Sequence, residues 1–237
     1  MRALVIIPAY NEEKNIVGLL DRLKITCPEY DVVVVNDCSS DNTLKLCRES
    51  GADVISLPVN LGIGGAVQAG FRYAMYNDYD FAVQVDGDGQ HDPKYISLLL
   101  SGLGEKSNLC IGSRFIDGEG FQSSAIRRLG IRYFSTLIYI FTGQRIKDPT
   151  SGFRACDRKA VQLFAVDYPR DYPEPESIVN ASRQGLKVTE MPVVMNRRTG
   201  GKTSITSSRS VYYMIKVSLA IIIASFFRNA KMEVQRP

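Results

Sequence analysis

The segment Asp86-Gly87-Asp88-Gly89-Gln90-His91-Asp92-Pro93 follows the apolar run Phe81–Val85, so a buried strand stops in carboxylates. In an extended chain, residues i, i+2 and i+4 share a face. Asp86, Asp88 and Gln90 are therefore expected to point one way, with glycines between them leaving room for a ligand. Two carboxylates and an amide oxygen are hard donors, suited to Mg²⁺ or Mn²⁺ rather than Zn²⁺. Such an ion is most useful beside a diphosphate. The competing reading is an acidic turn ahead of a helix that begins at Pro93.

The elements around this segment settle where it must lie. Ala3–Ile7, Val32–Val35, Asp53–Ser56, Phe81–Val85 and Leu109–Ile111 are short, Val- and Ile-rich runs of the kind buried on both faces of a sheet. Amphipathic helices alternate with them. Ile16, Leu19, Leu20 and Leu23 follow helical spacing, and further helices are expected over Asp41–Glu49 and Gly64–Tyr76. This alternation predicts an α/β domain: a mostly parallel sheet with helices on both faces, whose ligands gather at the carboxyl ends of the strands. Four such ends are polar: Pro8–Glu12, Asn36–Asp41, the acidic segment and Gly112–Arg114. Asn11 and Asp41 also read as helix N-caps. Past residue 115 helices are expected over Ala125–Thr142, Arg158–Phe164 and Ile178–Gln184, with a strand over Lys187–Val194. Lys147–Arg154 and the acidic Tyr172–Ser177 read as loops.

Composition narrows the class. At 237 residues and 45% apolar, the chain can bury one sizeable core. A net charge of +4, without a basic patch interleaved with aromatics before the last third, argues against a nucleic-acid partner. Five cysteines form no C-x-x-C pair, and one histidine cannot build a zinc site. These cysteines read as reduced thiols, and the N-terminus reads as a strand rather than a signal peptide, so a cytoplasmic protein is expected. Val211–Phe227 is strongly apolar but interrupted by Lys216. Its unbroken part spans only about half of a ~30 Å hydrocarbon core. It reads as an interfacial helix with Arg209, Lys216, Arg228 and Lys231 facing anionic headgroups, or as a helix docked on the domain or a second subunit.

Six motifs occur in one order: Pro8-Ala9-Tyr10-Asn11-Glu12, Asn36-Asp37-x-Ser39-x-Asp41, Asn60-x-Gly62-x-Gly64, Asp86-x-Asp88-x-Gln90-His91-x-Pro93, Gly112-Ser113-Arg114 and Asp148–Arg154. With this set, the chain resembles a family 2 glycosyltransferase of the GT-A fold. The branch it is most similar to holds dolichol-phosphate mannosyltransferase and bacterial polyprenyl-phosphate glycosyltransferases. The resemblance implies a catalytic domain over 1–205 and a docking helix within 206–237. It also implies inverting, metal-dependent transfer from a UDP- or GDP-linked sugar to polyprenyl (undecaprenyl) phosphate for cell-surface glycan synthesis.

The resemblance further implies roles. Pro8, Ala9, Tyr10, Glu12, Val35 and Asp37 would hold the nucleoside, with the Asp37 carboxylate accepting from the base. Val85, Asp86, Gly87, Asp88 and Gln90 would line the diphosphate side, with Asp86, Asp88 and Gln90 on the Mg²⁺ or Mn²⁺. Gly64 would let backbone approach the nucleotide or serve a tight turn into a helix. Arg114, or a plain ion pair in its place, and Arg198 and Lys202 of a glycine-containing loop would meet the donor phosphates. Arg127, Arg128, Arg132 and Ser135 would take an acceptor phosphate, or Arg127 and Arg128 would be a solvated face. Glu174 or Glu176 would be the base if the acceptor were a sugar hydroxyl of a growing glycan. A small membrane-protein partner, or a second copy, would dock on the C-terminal helix, leaving the protein peripheral at the cytoplasmic face of the membrane. A non-catalytic sugar-nucleotide-binding component of a glycan assembly complex is the alternative outside enzymes. A dinucleotide dehydrogenase or a nucleotidyltransferase would need glycines in the first loop, where Pro8–Glu12 stands.

Overall fold

The computed structural model describes residues 1–104, 107–117, 125–171, 173–196 and 214–223, and only the backbone of 125–127. Its seven-stranded sheet has the order β3-β2-β1-β4-β6-β5-β7. The strands are β1 (Ala3–Ala9), β2 (Asp31–Asn36), β3 (Asp53–Ser56), β4 (Phe81–Gln84), β5 (Leu109–Ser113), β6 (Arg154–Asp157) and β7 (Val188–Pro192). All pairings are parallel except those of β6, which runs antiparallel between β4 and β5. The helices are α1 (Ile16–Thr26), α2 (Thr43–Glu49), α3 (Gly62–Tyr76), α4 (Ile96–Ser101), α5 (Ala125–Thr142), α6 (Arg158–Val166) and α7 (Pro173–Arg183). A helical segment over 214–223 follows.

Alternating residues of the strands feed two cores, one on each face. Leu4 and Ile6 of β1 pack with Val33, Val35 and Ala82 against α3, α5, α6 and α7. Val5 and Ile7 pack with Val34 and Val83 against α1, α2 and α4. Helix α3 lies so close to β1 that a Cβ at Gly70 would collide with the Ile6 side chain. Val217 and Ile221 of segment 214–223 join the first core, so this segment packs on the domain.

Three local readings need correction. Strand β6 was expected to be loop at its start, because four residues bounded by a polar loop and a helix carry too little periodicity to read. Tyr172–Ser177 was expected to be a loop, but Pro173–Ser177 is the first part of α7. Proline suits a helix's first turn, and Glu174 and Glu176 favour its positive end. Asn11 caps no helix. It takes a left-handed φ of 55° and its amide oxygen accepts from Ser40 N–H at 2.8 Å.

The order of connection locates the functional edge. From β1 the chain adds β2 and β3 on one side, then returns through α3 to place β4 on the other. The crevice between the carboxyl ends of β1 and β4 is thus the topological switch point, where ligands of open α/β sheets bind. Pro8–Glu12 and Asp86–Gln90 are the segments at that point.

Candidate active site

The first two strand ends are zipped together. Asp37 N–H donates to the Ala9 carbonyl at 2.9 Å, Asn11 N–H to Ser39 Oγ at 3.0 Å and Glu12 N–H to Thr43 Oγ1 at 2.8 Å. Asp41 receives Thr43 N–H at 2.9 Å and Glu13 N–H at 3.2 Å. Burial pushes the Asp41 carboxyl up, but these bonds and the Thr43 hydroxyl outweigh it and hold the group below the usual range. Asp37 is buried and its Oδ1 accepts Leu61 N–H at 2.7 Å, which pins the entry to α3. Tyr10 stays exposed beside this buried carboxylate, while Val35 is wholly in the core. Gly64 packs against the backbone of Pro169 and Arg170, whose carbonyl takes Gly64 N–H at 3.2 Å. Gly64 thus sits inside α3 where another loop's backbone passes close, and the left-handed φ of 76° at the start of the helix belongs to Gly62.

The acidic segment is not extended. Strand β4 ends at Gln84, and residues 87–89 form a turn in which Gly89 takes a φ of 75°. Asp88 Oδ1 accepts Gln90 N–H at 3.0 Å and closes that turn. Asp86, Asp88 and Gln90 therefore do not line one face as expected, because alternation holds only while the chain stays extended. Asp86, Asp88 and Gln90 instead project from a compact turn at the switch point, each half-buried. Gly87 lies against the first loop: a Cβ there would come within 3.1 Å of the Pro8 carbonyl oxygen and 3.5 Å of Glu12 Cγ. Val85 is buried, and its N–H donates to the Ile6 carbonyl at 2.9 Å.

This turn fits a hard cation that shares its shell with a ligand. It offers two carboxylates and an amide oxygen. Among the described residues no group of three His, Cys, Asp or Glu side chains is close enough to hold a metal alone. An ion here would draw its remaining oxygens from a phosphate and water, as Mg²⁺ and Mn²⁺ do.

The loop 148–152 covers the other side of Asp86. A Cβ at Gly152 would lie 2.8 Å from Asp86 Oδ2, so any larger residue would have to push the Asp86 carboxylate aside. Arg114 is no surface cation. Its guanidinium forks onto Asp148, with Nε to Oδ2 at 2.6 Å and Nη2 to Oδ1 at 2.7 Å, and Nη2 also reaches Thr150 at 3.0 Å. Both partners are buried. Glu190 of β7 anchors the loop below, accepting the backbone N–H of Lys147 at 2.7 Å and of Asp148 at 2.8 Å.

Glu174 and Glu176 face apart, as two residues about 200° apart around a helix must. Glu174 lies with Asp86 near the buried Tyr168 phenol. Burial pushes that phenol up, and both carboxylates add to the shift against the neighbouring Arg154. Glu176 lines a separate cavity of about 450 Å³ with Arg170, Asp171 and Lys216.

Arg128, Arg132, Ser135, Lys147 and Phe115 line a second cavity of about 370 Å³. None of its three cations has an ion-pair partner among the described residues. The Ser135 hydroxyl donates to the Ile146 carbonyl. The Arg127 side chain and the expected donor-loop residues Arg198 and Lys202 lie outside the described residues.

Sequence reasoning missed Lys147, Arg154, Tyr168 and His91. Arg154 ends the Asp148–Arg154 motif, but nothing local indicates that it is buried with its guanidinium on Pro149 O, Ser151 O and Ser177 Oγ.

A mostly parallel sheet with one antiparallel strand beside a carboxylate turn at the switch point defines a GT-A glycosyltransferase domain. Residues 4–164 match the model of glycosyl transferase family 2, and the chain belongs to that family. It is 31% identical to the polyprenol monophosphomannose synthase of Mycolicibacterium smegmatis, over 92% of this chain and 86% of that protein. It is also 31% identical to the undecaprenyl-phosphate mannosyltransferase of Micrococcus luteus, over 87% and 88% respectively. Among solved structures, glucosyl-3-phosphoglycerate synthase from Mycobacterium tuberculosis, in complex with Mn²⁺, uridine diphosphate and phosphoglyceric acid, superposes with a TM-score of 0.69 at 20% identity. That match covers 94% of this chain and 78% of the other.

Proposed function

We propose that this glycosyltransferase moves a hexose, with inversion, from a nucleoside-diphosphate sugar to a polyprenyl phosphate. The observation that carries the acceptor is the cavity of Arg128, Arg132 and Lys147. Arg128, Arg132 and Lys147 are exposed and unpaired among the described residues, and a phosphate dianion in the cavity of about 370 Å³ would relieve their mutual repulsion. The relatives from M. smegmatis and M. luteus bear names of polyprenyl-phosphate sugar transfer, which agrees.

In this reading Asp37, Tyr10 and the zipped first loops hold the nucleoside. Asp86, Asp88 and Gln90 would hold Mg²⁺ or Mn²⁺, which when bound neutralises the diphosphate leaving group. Arg114, paired with Asp148, would hold the 148–152 loop beside the same edge rather than meet the phosphates itself. Arg128, Arg132 and Lys147 orient the acceptor phosphate, whose own oxygen attacks. A phosphate is already ionised near neutral pH, so neither Glu174 nor Glu176 need act as base.

One face of the molecule supports attachment to a membrane surface. Leu129, Tyr133 and Ile140 of α5 are exposed, as are Ile215, Leu219, Ile222 and Ile223 of segment 214–223. A Tyr133–Ser218 hydroxyl contact of 2.8 Å joins the two. Among the described residues no helix is long and apolar enough to cross a membrane. This face would lie on the cytoplasmic leaflet with Arg128 and Arg132 at its rim.

The test is a donor panel with undecaprenyl phosphate and Mg²⁺, read as nucleoside diphosphate release and labelled lipid. Arg128→Ala and Arg132→Ala should each raise KM for the lipid phosphate at least ~10-fold, with little change for the donor. Unchanged lipid KM in both variants would remove the acceptor assignment.

A further inference from the structure

We infer that His91 is a positioning residue for Asp86, holding the first carboxylate of the turn in its cation-facing orientation. The inference rests on the metal reading above. His91 Nδ1 accepts the Asp86 backbone N–H at 3.0 Å. That bond ties the two ends of the Asp86–His91 loop together, adding to the Asp88–Gln90 bond inside it and to the Asn196 N–H that Gln90 O accepts at 2.9 Å. The imidazole is 3% exposed and lies flat on Phe153, with ring centroids 4.7 Å apart and planes 9° apart. It cannot rotate away without losing both contacts.

Accepting at Nδ1 also sets the tautomer. The proton of the neutral ring then sits on Nε2, which is 3.7 Å from Asp86 Oδ2. Gln84 Nε2 donates to the other oxygen, Oδ1, at 3.0 Å. Gly152 closes the approach to Oδ2 from the 148–152 loop. His91, Gln84 and Gly152 thus bound the carboxylate on three sides. The carboxylate stays about one-third exposed (35%) at the end of β4. Groups that orient a metal-binding carboxylate from behind tune its affinity, and their removal typically costs 10–100-fold.

The test separates hydrogen bonding from packing. Asparagine places an amide oxygen where Nδ1 stood, whereas phenylalanine keeps the stack on Phe153 and loses the acceptor. Mn²⁺ binding is measured by electron paramagnetic resonance on the whole chain, with the metal alone and with UDP or GDP added. Thermal melts check folding. His91→Phe should weaken Mn²⁺ binding at least ~10-fold, and His91→Asn should stay within about 3-fold of the parent. Parent-like binding by His91→Phe overturns the inference, as does equal loss in both variants. Should His91→Phe not fold, His91→Gln takes its place: its amide reaches the Nε2 position instead, so loss is expected and retention overturns. Asp88→Asn is the control for the underlying reading. If it binds Mn²⁺ like the parent, the metal turn itself is wrong. If it loses Mn²⁺ while His91→Phe does not, only the role of His91 falls.

Discussion

Arg114 and Asp148 show what a residue's surroundings add to its type. From sequence, an arginine after a strand is a plausible phosphate ligand or an ordinary ion pair. Its two-pronged bond to a fully buried carboxylate makes it a fixed strut between β5 and the 148–152 loop. Removing one partner leaves a buried charge uncompensated, which costs about 3–5 kcal/mol. Asp148→Asn should lower the urea midpoint accordingly, and a variant as stable as the parent would contradict a buried pair. Glu190 works one step further back. Burial pushes its carboxyl up, and the N–H groups of Lys147 and Asp148 oppose that shift. The cation cavity and the strut therefore share one support.

Among the elements, α7 and α3 carry the sharpest consequences. The turn of α7 sends Glu174 toward Tyr168 and Asp86 but Glu176 toward Lys216. With a phosphate acceptor, Glu174→Gln and Glu176→Gln should each keep activity within about 5-fold, losing only the ~0.3–1 kcal/mol that acids contribute at a helix start. A loss of ~10³-fold in either would move the acceptor toward a sugar hydroxyl and make that residue its base. At α3, Gly64→Ala forces a Cβ into the Pro169 and Arg170 carbonyls. It should cost about 1–3 kcal/mol of stability. Unchanged melting would mean that the 167–171 loop does not pack there.

For the whole molecule, burial of the two cores sets how it responds to pH and to lipid. Cys27, Cys47, Cys110 and Cys156 are buried, while Cys38 is exposed. Burial raises the thiols of Cys27, Cys47 and Cys110 to about 11 and Cys156 further. Unfolded thiols ionise near ~8.5. Between these values the unfolded chain binds fewer protons than the native one, so stability falls as pH rises above about 8.5. Urea midpoints at pH 7 and pH ~9.5 test this, and a flat profile would rule it out. In native protein a thiol reagent should label Cys38 alone. The apolar face of α5 and segment 214–223 predicts binding to anionic vesicles that weakens with salt. Leu219→Glu together with Ile140→Glu should reduce co-sedimentation several-fold, and undiminished binding would put the membrane on another face.

Much was legible in the chain because its signals are local. Short Val- and Ile-rich runs, amphipathic spacing and six ordered motifs determined a mostly parallel α/β sheet of the GT-A kind. They also placed polar strand ends at one edge and an acidic segment there. Strand burial on both faces leaves so plain a composition that no contact had to be known. What only the tertiary structure decided depends on distant partners. Asp86–Gln90 is a turn rather than an extended row, because Asp88 caps it and His91 closes it. Strand β6 exists because β4 and β5 supply its hydrogen bonds. Arg114 is bound because Asp148, 34 residues away, folds beneath it. Lys147 joins Arg128 and Arg132 only because Glu190 holds its backbone. The carboxylates Asp86 and Asp88 were visible as residue types, but their orientation belongs to side chains that no spacing rule links to them.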